Sequence, residues 1–174
     1  MKKLVFVAAV ALLIGLLSHC QSGGNQGNND SNQSKELAAA QDLKDQGKSI
    51  AKASGNALMQ QLSQAIGEGG IAHATRFCSR KAMPLTDSLS AAHEVRIHRV
   101  SHKNRNPANE ADSLENSLIQ EYQRMLEQNA DPAPKLVKRG AKQVYYHPIR
   151  IKSQLCLNCH GTKGKILSSE TYEL

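Results

Sequence analysis

Two cysteines three positions apart, with a histidine directly after the second, stand near the end of the sequence: Cys156-Leu157-Asn158-Cys159-His160. This five-residue pattern constrains the fold more than any other feature, because it is the attachment signature of a c-type haem. The spacing has a physical reason. Thiols at i and i+3 reach the two vinyl groups of one porphyrin and form thioethers, and the next residue presents an imidazole beneath the iron. Three other uses of the same residues stay open from spacing alone. One is a Cys156–Cys159 redox disulfide, although such motifs ordinarily open a helix after a strand in a βαβ unit, and no βαβ pattern precedes this one. Another is a zinc site of Cys78, Cys156, Cys159 and His160, which is numerically a Cys3His set. Adjacent Cys159 and His160 reach one ion awkwardly, and an oxidising compartment disfavours free thiolates. The last is a plain structural disulfide.

The opening of the chain bears on the same question. Met1-Lys2-Lys3 is a short basic region and residues 4–17 form an almost unbroken apolar run, too short for a comfortable membrane span and suited to a signal peptide. The run ends at Leu17-Ser18-His19-Cys20, which resembles the lipobox of bacterial lipoproteins, with His19 where Gly, Ala or Ser is usual. A leader over residues 1–19, cleaved before an acylated Cys20, anchors the chain to a membrane by lipid, since several acyl chains on one residue hold stably where one does not. An ordinary secretory leader with a spare cysteine is the simpler alternative. Gln21 carries no acidic retention signal, so the expected location is the periplasmic side, with the outer membrane favoured. Residues 21–34 contain no apolar side chain. The stretch from Cys20 to position 34 is therefore expected to be a flexible tether, leaving residues 35–174 as one domain. Haem attachment follows export, so leader and motif point to one compartment.

The net charge is +7, near +5 once Lys2 and Lys3 leave with the leader, and only six residues are aromatic. Scattered cations without interleaved rings, in an exported chain, argue against nucleic-acid binding. The basic excess suits an acidic prosthetic group, an acidic partner or a lipid surface. So few rings also leave a core that an apolar macrocycle would fill.

Helical spacing of Leu43, Ile50, Leu58, Leu62 and Ile66 predicts a long N-terminal helix over 35–66, stopped by Gly67-Glu68-Gly69-Gly70. A second helix is expected over 71–81 and a short one from Pro84 to about position 92. Alternation over 94–100 predicts a strand with Val95, Ile97 and Arg99 on one face. Asn104 to Asn109 reads as a turn-rich loop, with Asn109 as the cap of a helix over 110–127. A hairpin around Gly140 pairs 136–138 with 143–151, Pro148 marking an edge or strand end. The fold class is therefore α+β, a small antiparallel sheet flanked by helices.

With Cys20, Cys156 and Cys159 assigned, Cys78 is left single in Phe77-Cys78-Ser79-Arg80. The neighbouring Arg76, Arg80 and Lys81 would help to hold a thiolate, and a cysteine thiolate is a known haem ligand. A small buried core cysteine is the plain alternative. Rival sixth ligands are His73, His93, His98, His102, His147 and Met83. For the haem propionates, the inward-facing Arg99 and the loop residue Arg105 are the candidate cations, with Tyr145 or Tyr146 as hydrogen-bond donor. For Arg105, a plain turn and cap stands beside that role.

Several runs then converge on a known family. Ala74-x-x-x-Cys78, Arg99-Val-Ser-x-Lys-x-Arg105-Asn-Pro107-x-Asn109, Tyr145-Tyr146-x-Pro148-Ile149 and Cys156-Leu157-x-Cys159-His160-Gly161 span about residues 36–165. In these the chain resembles the small c-type haem proteins with a PAS-like fold and a cysteine–histidine axial pair, a domain long catalogued as of unknown function and also found as the sensor part of some histidine kinases. The resemblance implies a PAS-like sheet with the haem between sheet and helices, thioethers at Cys156 and Cys159, His160 as proximal ligand and Cys78 as distal ligand. A six-coordinate thiolate haem has no free site for substrate and a low potential, so no enzyme activity is expected. One-electron transfer to a separate redox partner is the first expectation. A redox or gas sensor, acting through a partner because this chain carries no kinase or output domain, is the alternative.

Overall fold

The computed structural model describes residues 26–161. Its elements, in order, are a long helix α1 (Gln26–Ala92), one 3-10 turn (Pro107–Asn109), α2 (Ser113–Glu127), the strands β1 (Lys135–Arg139) and β2 (Lys142–Tyr146), and a short helix α3 (Gln154–His160). This is an α+β arrangement with a long N-terminal helix. The leader and Cys20 lie outside the described residues. No helix among the described residues is long and apolar enough to cross a membrane.

α1 begins at Gln26, inside the polar stretch expected to be a tether. It is broken at Gly69 and Gly70, where the backbone leaves helical geometry and Gly70 takes a φ of 74°. Only a residue without a Cβ enters that region at no steric cost. The break divides α1 into two arms, 26–68 and 71–92. Leu58 and Leu62 of the first arm line one cleft with Phe77, Cys78, Pro84 and Leu85 of the second. The best-buried residues are small: Ala65 and Ala74 are 1% and 0% exposed.

Two expectations are corrected on the second arm. Pro84 does not start a new helix; the arm passes through it. The missing N–H frees one carbonyl, and hydroxyls back-bond along the same stretch: Thr86 to the Ala82 carbonyl at 2.7 Å and Ser88 to that of Pro84 at 3.0 Å. Residues 94–100 do not form a strand. The arm ends in a paired turn, with the Val95 N–H donating to Ser90 O (3.1 Å) and the Glu94 N–H to Ala91 O (3.2 Å). Glu94 sits at φ 53°, in the left-handed position such helix ends require. The following segment lies along the arm, its Ile97 N–H donating to Ser90 Oγ at 3.0 Å. The alternation still sorted the faces correctly from Arg96 onward: Ile97 and Arg99 are half-buried, Arg96 and His98 exposed. It marked contact with a helix, not a β-ladder; among the described residues the one isolated bridge joins Ser101 to Glu110.

The helix expected from 110 starts at Ser113, because Asp112 caps it. Asp112 Oδ1 accepts from Glu115 N (2.9 Å) and Glu115 Oε2 from Asp112 N (3.0 Å), a capping box. Asn106, not Asn109, is the cap in the loop, and it serves the 3-10 turn. The hairpin forms around Gly140 as expected, with Leu136 opposite Tyr145 and Val137 opposite Val144, but β2 stops at Tyr146, short of Pro148. It is the sole sheet among the described residues, so the flanked sheet is two-stranded. Arg139 ties it to α2 through Asp112 Oδ2 (2.5 Å) and Glu115 Oε1 (3.5 Å), and Lys135 does so through Glu121 (2.5 Å). The Arg139–Asp112 and Lys135–Glu121 pairs are open to solvent and individually weak.

The hairpin also packs on α1. A Cβ built at Gly47 would meet Tyr145 Cδ1 at 2.6 Å and Tyr145 Cβ at 2.8 Å, whereas nothing lies within 4 Å of one at Gly55. In an open helix Gly→Ala stabilises by up to about 1 kcal/mol. Gly55→Ala is therefore expected to raise stability in chemical denaturation, while Gly47→Ala lowers it by about 1–3 kcal/mol through overpacking. Equal shifts of the same sign would show that Tyr145 does not pack there.

Candidate functional site

The short helix α3 carries the cysteine motif. Ser153 caps it, its Oγ accepting from the Cys156 N–H at 3.4 Å and lying 3.2 Å from Cys156 Sγ. The far end closes on Gly161, whose N–H donates to Leu157 O at 2.8 Å. One helical turn thus spaces the two thiols and places His160 at its end.

α3 packs on α1. Thr75, 7% exposed, donates to the Ile71 carbonyl (3.0 Å) and meets Cys159 Sγ at 3.5 Å. Cys78 is one turn further along the same face and interacts electrostatically with Cys159. Two loop arginines complete the cluster. Arg105 donates to the Cys159 carbonyl. Arg99 donates from Nη2 to the Ala82 carbonyl at 3.2 Å, while its Nε is buried without a partner. The structure therefore brings together Cys78, Arg99, Arg105, Cys159 and His160 from the second arm of α1, the loop and α3.

The charges in the cluster are unevenly distributed. Burial pushes the Cys78 thiol up, the nearby Cys159 adds to this, and Arg99 pulls in the opposite direction. Burial lowers the pKa of Arg99, against the favourable charge of Cys78. His160 is exposed over the residue as a whole, yet enough protein surrounds its imidazole that burial lowers its pKa, with Arg105 and Arg99 acting in the same sense. That combination favours a neutral imidazole, the form that binds a metal. Cys156 behaves oppositely to Cys78: the Ser153 hydroxyl and then the helix-start N–H groups hold its thiol below the ordinary value.

Cys78, Cys156 and Cys159 are all free thiols. No group of three or more His, Cys, Asp or Glu among the described residues is placed to hold a metal ion, so the Cys3His zinc set is not assembled. Several rival ligands are engaged elsewhere. His73 pairs with Glu68 across the glycine break (3.7 Å), His98 bonds the Ala108 carbonyl (2.8 Å), and His147 stacks on Tyr145. Tyr146 is not in the cluster: its hydroxyl accepts from Arg139 at 3.1 Å, within the hairpin's clamp to α2. Thr75 and Ser153 were missed by sequence reasoning. Thr75 was detectable as the residue one turn before Cys78, and Ser153 as a hydroxyl three positions before Cys156.

A family model matches residues 30–173, from the first arm of α1 past the cysteine motif. The chain belongs to the Tll0287-like family. That family is known as haem-domain-like, in keeping with the cluster in this Tll0287-like chain. No curated protein and no solved structure matches the sequence.

The split between the thiols can be read in chain prepared without haem. Near neutral pH, iodoacetamide is expected to alkylate Cys156 several-fold faster than Cys78, because only the thiolate reacts. Ser153→Ala should slow Cys156, and raising the pH should narrow the gap as Cys78 ionises. Equal rates, measured by peptide mass, would contradict the assigned electrostatics.

Proposed function

We propose that this chain is an exported c-type cytochrome lipoprotein that binds one covalent haem c and transfers single electrons to a separate protein partner. What supports this reading is the seating of the cysteine helix α3 on the second arm of α1, where Thr75 meets Cys159 one turn before Cys78 and Cys78 interacts electrostatically with Cys159. A thiol opposite a thiol–imidazole turn is a fitting donor set for a haem held at its edge and on both faces. The apolar lining of the cleft beside Cys78, from Leu58, Leu62, Phe77 and Leu85, suits a porphyrin. A core whose best-buried side chains are alanines leaves it room.

In this reading Cys156 and Cys159 carry the thioethers, His160 is the proximal ligand and Cys78 the distal one. The lowered pKa of Cys156 makes it the readier of the thiols to react. Arg105, exposed beside α3, offers its cation to a propionate. Haem would supply a one-electron couple; were His160 and Cys78 both to hold its iron, no place would be left for a substrate, and the chain would carry electrons without turnover. In this reading the hairpin and its flanking helices would belong to a PAS-like domain. Membrane attachment through an acylated Cys20 places the chain on the periplasmic side, the outer membrane being favoured. Nucleic acid has no part in this function.

One observation favours the alternative of a redox or gas sensor acting through a partner. Burial raises the Cys78 pKa, which favours a sulfur that accepts a proton and leaves the iron. Visible spectra of the chain matured in cells with c-haem machinery separate the two. A low-spin thiolate spectrum altered by Cys78→Ala is expected, and ligation that persists on reduction identifies a carrier. Loss of ligation on reduction identifies a sensor. A spectrum that Cys78→Ala leaves unchanged overturns the distal assignment.

A further inference from the structure

The segment between β2 and α3 is built inside out. Ile149 and Ile151 are 72% and 48% exposed, while Arg150 between them is half-buried and pairs with Asp131. A segment that merely faced water would keep its cation outside and its isoleucines in. Exposed apolar residues scattered singly are ordinary. Here two stand in one short segment, and Lys152 and the α3 cap Ser153 follow at once. The charge of the surrounding chain is of one sign. Residues 95–109 and 132–161 contain no Asp or Glu, although the rest of the described chain carries more acids than cations. Some of these cations are neutralised: Lys135, Arg139 and Arg150 pair with acids of α2 and the loop after it. Lys152, just before α3, and Arg105, bonded to the carbonyl of Cys159 near its end, are exposed and have no acidic partner among the described residues. Lys103, two positions from Arg105, is exposed and unpaired in the same way. A seven-residue helix is only about 10 Å long. Free cations therefore stand at both ends of the element that carries Cys156 and Cys159.

We propose that Ile149 and Ile151, with the cations at the two ends of α3, form a docking surface for an acidic protein that presents apolar or aromatic groups among its carboxylates. This gives a chemistry to the separate partner of the carrier reading above, and it rests on that reading. The scale agrees with it. A small apolar centre with a rim of one charge suits a transient encounter, in which the buried area is low and electrostatic attraction sets the rate of association. Charge complementarity selects the occupant: acids on the partner meet Lys103, Arg105 and Lys152 without competition from acids in either segment of this chain. An anionic lipid surface shares that charge but suits the segment less well. Interfacial anchors are amphipathic helices with Trp, Phe or Leu on the apolar face, whereas residues 147–152 lie outside any helix and contain none of these.

The test is binding of the full chain, at low salt and by fluorescence anisotropy, to two labelled probes: a glutamate-rich random copolymer with tyrosine, and polyglutamate of the same length. The copolymer is expected to bind roughly tenfold tighter than polyglutamate, and Ile149→Ser together with Ile151→Ser to remove that difference. Lys103→Gln together with Lys152→Gln should weaken both probes several-fold, and by less as salt is added. Lys44→Gln together with Lys48→Gln, exposed cations on the first arm of α1, should change neither. An isoleucine variant that binds the copolymer as tightly as the unsubstituted chain overturns the proposal. A loss then confined to vesicles of phosphatidylcholine and phosphatidylglycerol assigns the surface to lipid, and a loss of self-association assigns it to a second copy of the chain. An isoleucine variant that unfolds at clearly lower denaturant concentration also overturns it, because the isoleucines are then packed by the chain itself. Neither probe reads the haem. A chain that binds as expected but is colourless after maturation keeps the acidic partner and loses the haem reading; a coloured chain indifferent to the isoleucines does the reverse.

Discussion

The seating of α3 on the second arm of α1 is the contact on which the rest depends. It joins residues 84 positions apart, as in the Thr75–Cys159 pair. Without it the cysteine motif is an isolated turn and Cys78 an ordinary half-buried thiol. A helix of seven residues cannot hold such a position by itself. The Ser153 cap fixes where it starts, the Arg105 bond to the Cys159 carbonyl secures its end, and the packed face of Thr75 and Cys78 receives it. The glycine break serves the same purpose at a distance. By dividing α1 at Gly69-Gly70 it sets Leu58 and Leu62 beside Phe77 and Cys78, giving that thiol an apolar wall.

Within this frame the electrostatics divide the labour. Cys156 lies next to hydrogen-bond donors and its pKa is lowered; Cys78 is half-buried and its pKa is raised. The arginines are held by backbone carbonyls of the two elements that meet, Ala82 of α1 and Cys159 of α3, which places fixed positive charge at their junction. The hairpin and α2 form a separate, more polar assembly around Arg139, Asp112 and Glu115, joined to α1 by the fit of Tyr145 on Gly47.

Much of the site was legible in the sequence because it is built from local patterns. The cysteine motif needs only one helical turn, and the thiol at Cys78 stood out by cysteine arithmetic. The glycine run marked the break in α1 correctly. The alternation over 94–100 placed Ile97 and Arg99 inward but not Val95, which is exposed, and it missed the element, because a segment lying along a helix produces the same period as a strand. Pro84 misled because tertiary packing carries a helix through a proline that local rules would place at its start. Tyr145 and Tyr146 could not be told apart for a similar reason: neighbouring tyrosines on a strand face opposite ways, and only packing decides that Tyr145 meets α1 while Tyr146 meets Arg139. Asp112 was detectable as an acid three residues before Glu115, a capping box that the apolar periodicity obscured.

The central claim is covalent attachment at Cys156 and Cys159. It is tested most directly by extracting the matured, purified chain with acidified acetone and measuring the mass and colour of the protein that remains. The account expects the protein to keep the colour and the added mass of one haem, and a Cys156→Ala, Cys159→Ala double variant to lose both. A chain that emerges colourless at its unmodified mass, from cells that mature other c-type cytochromes, would contradict it.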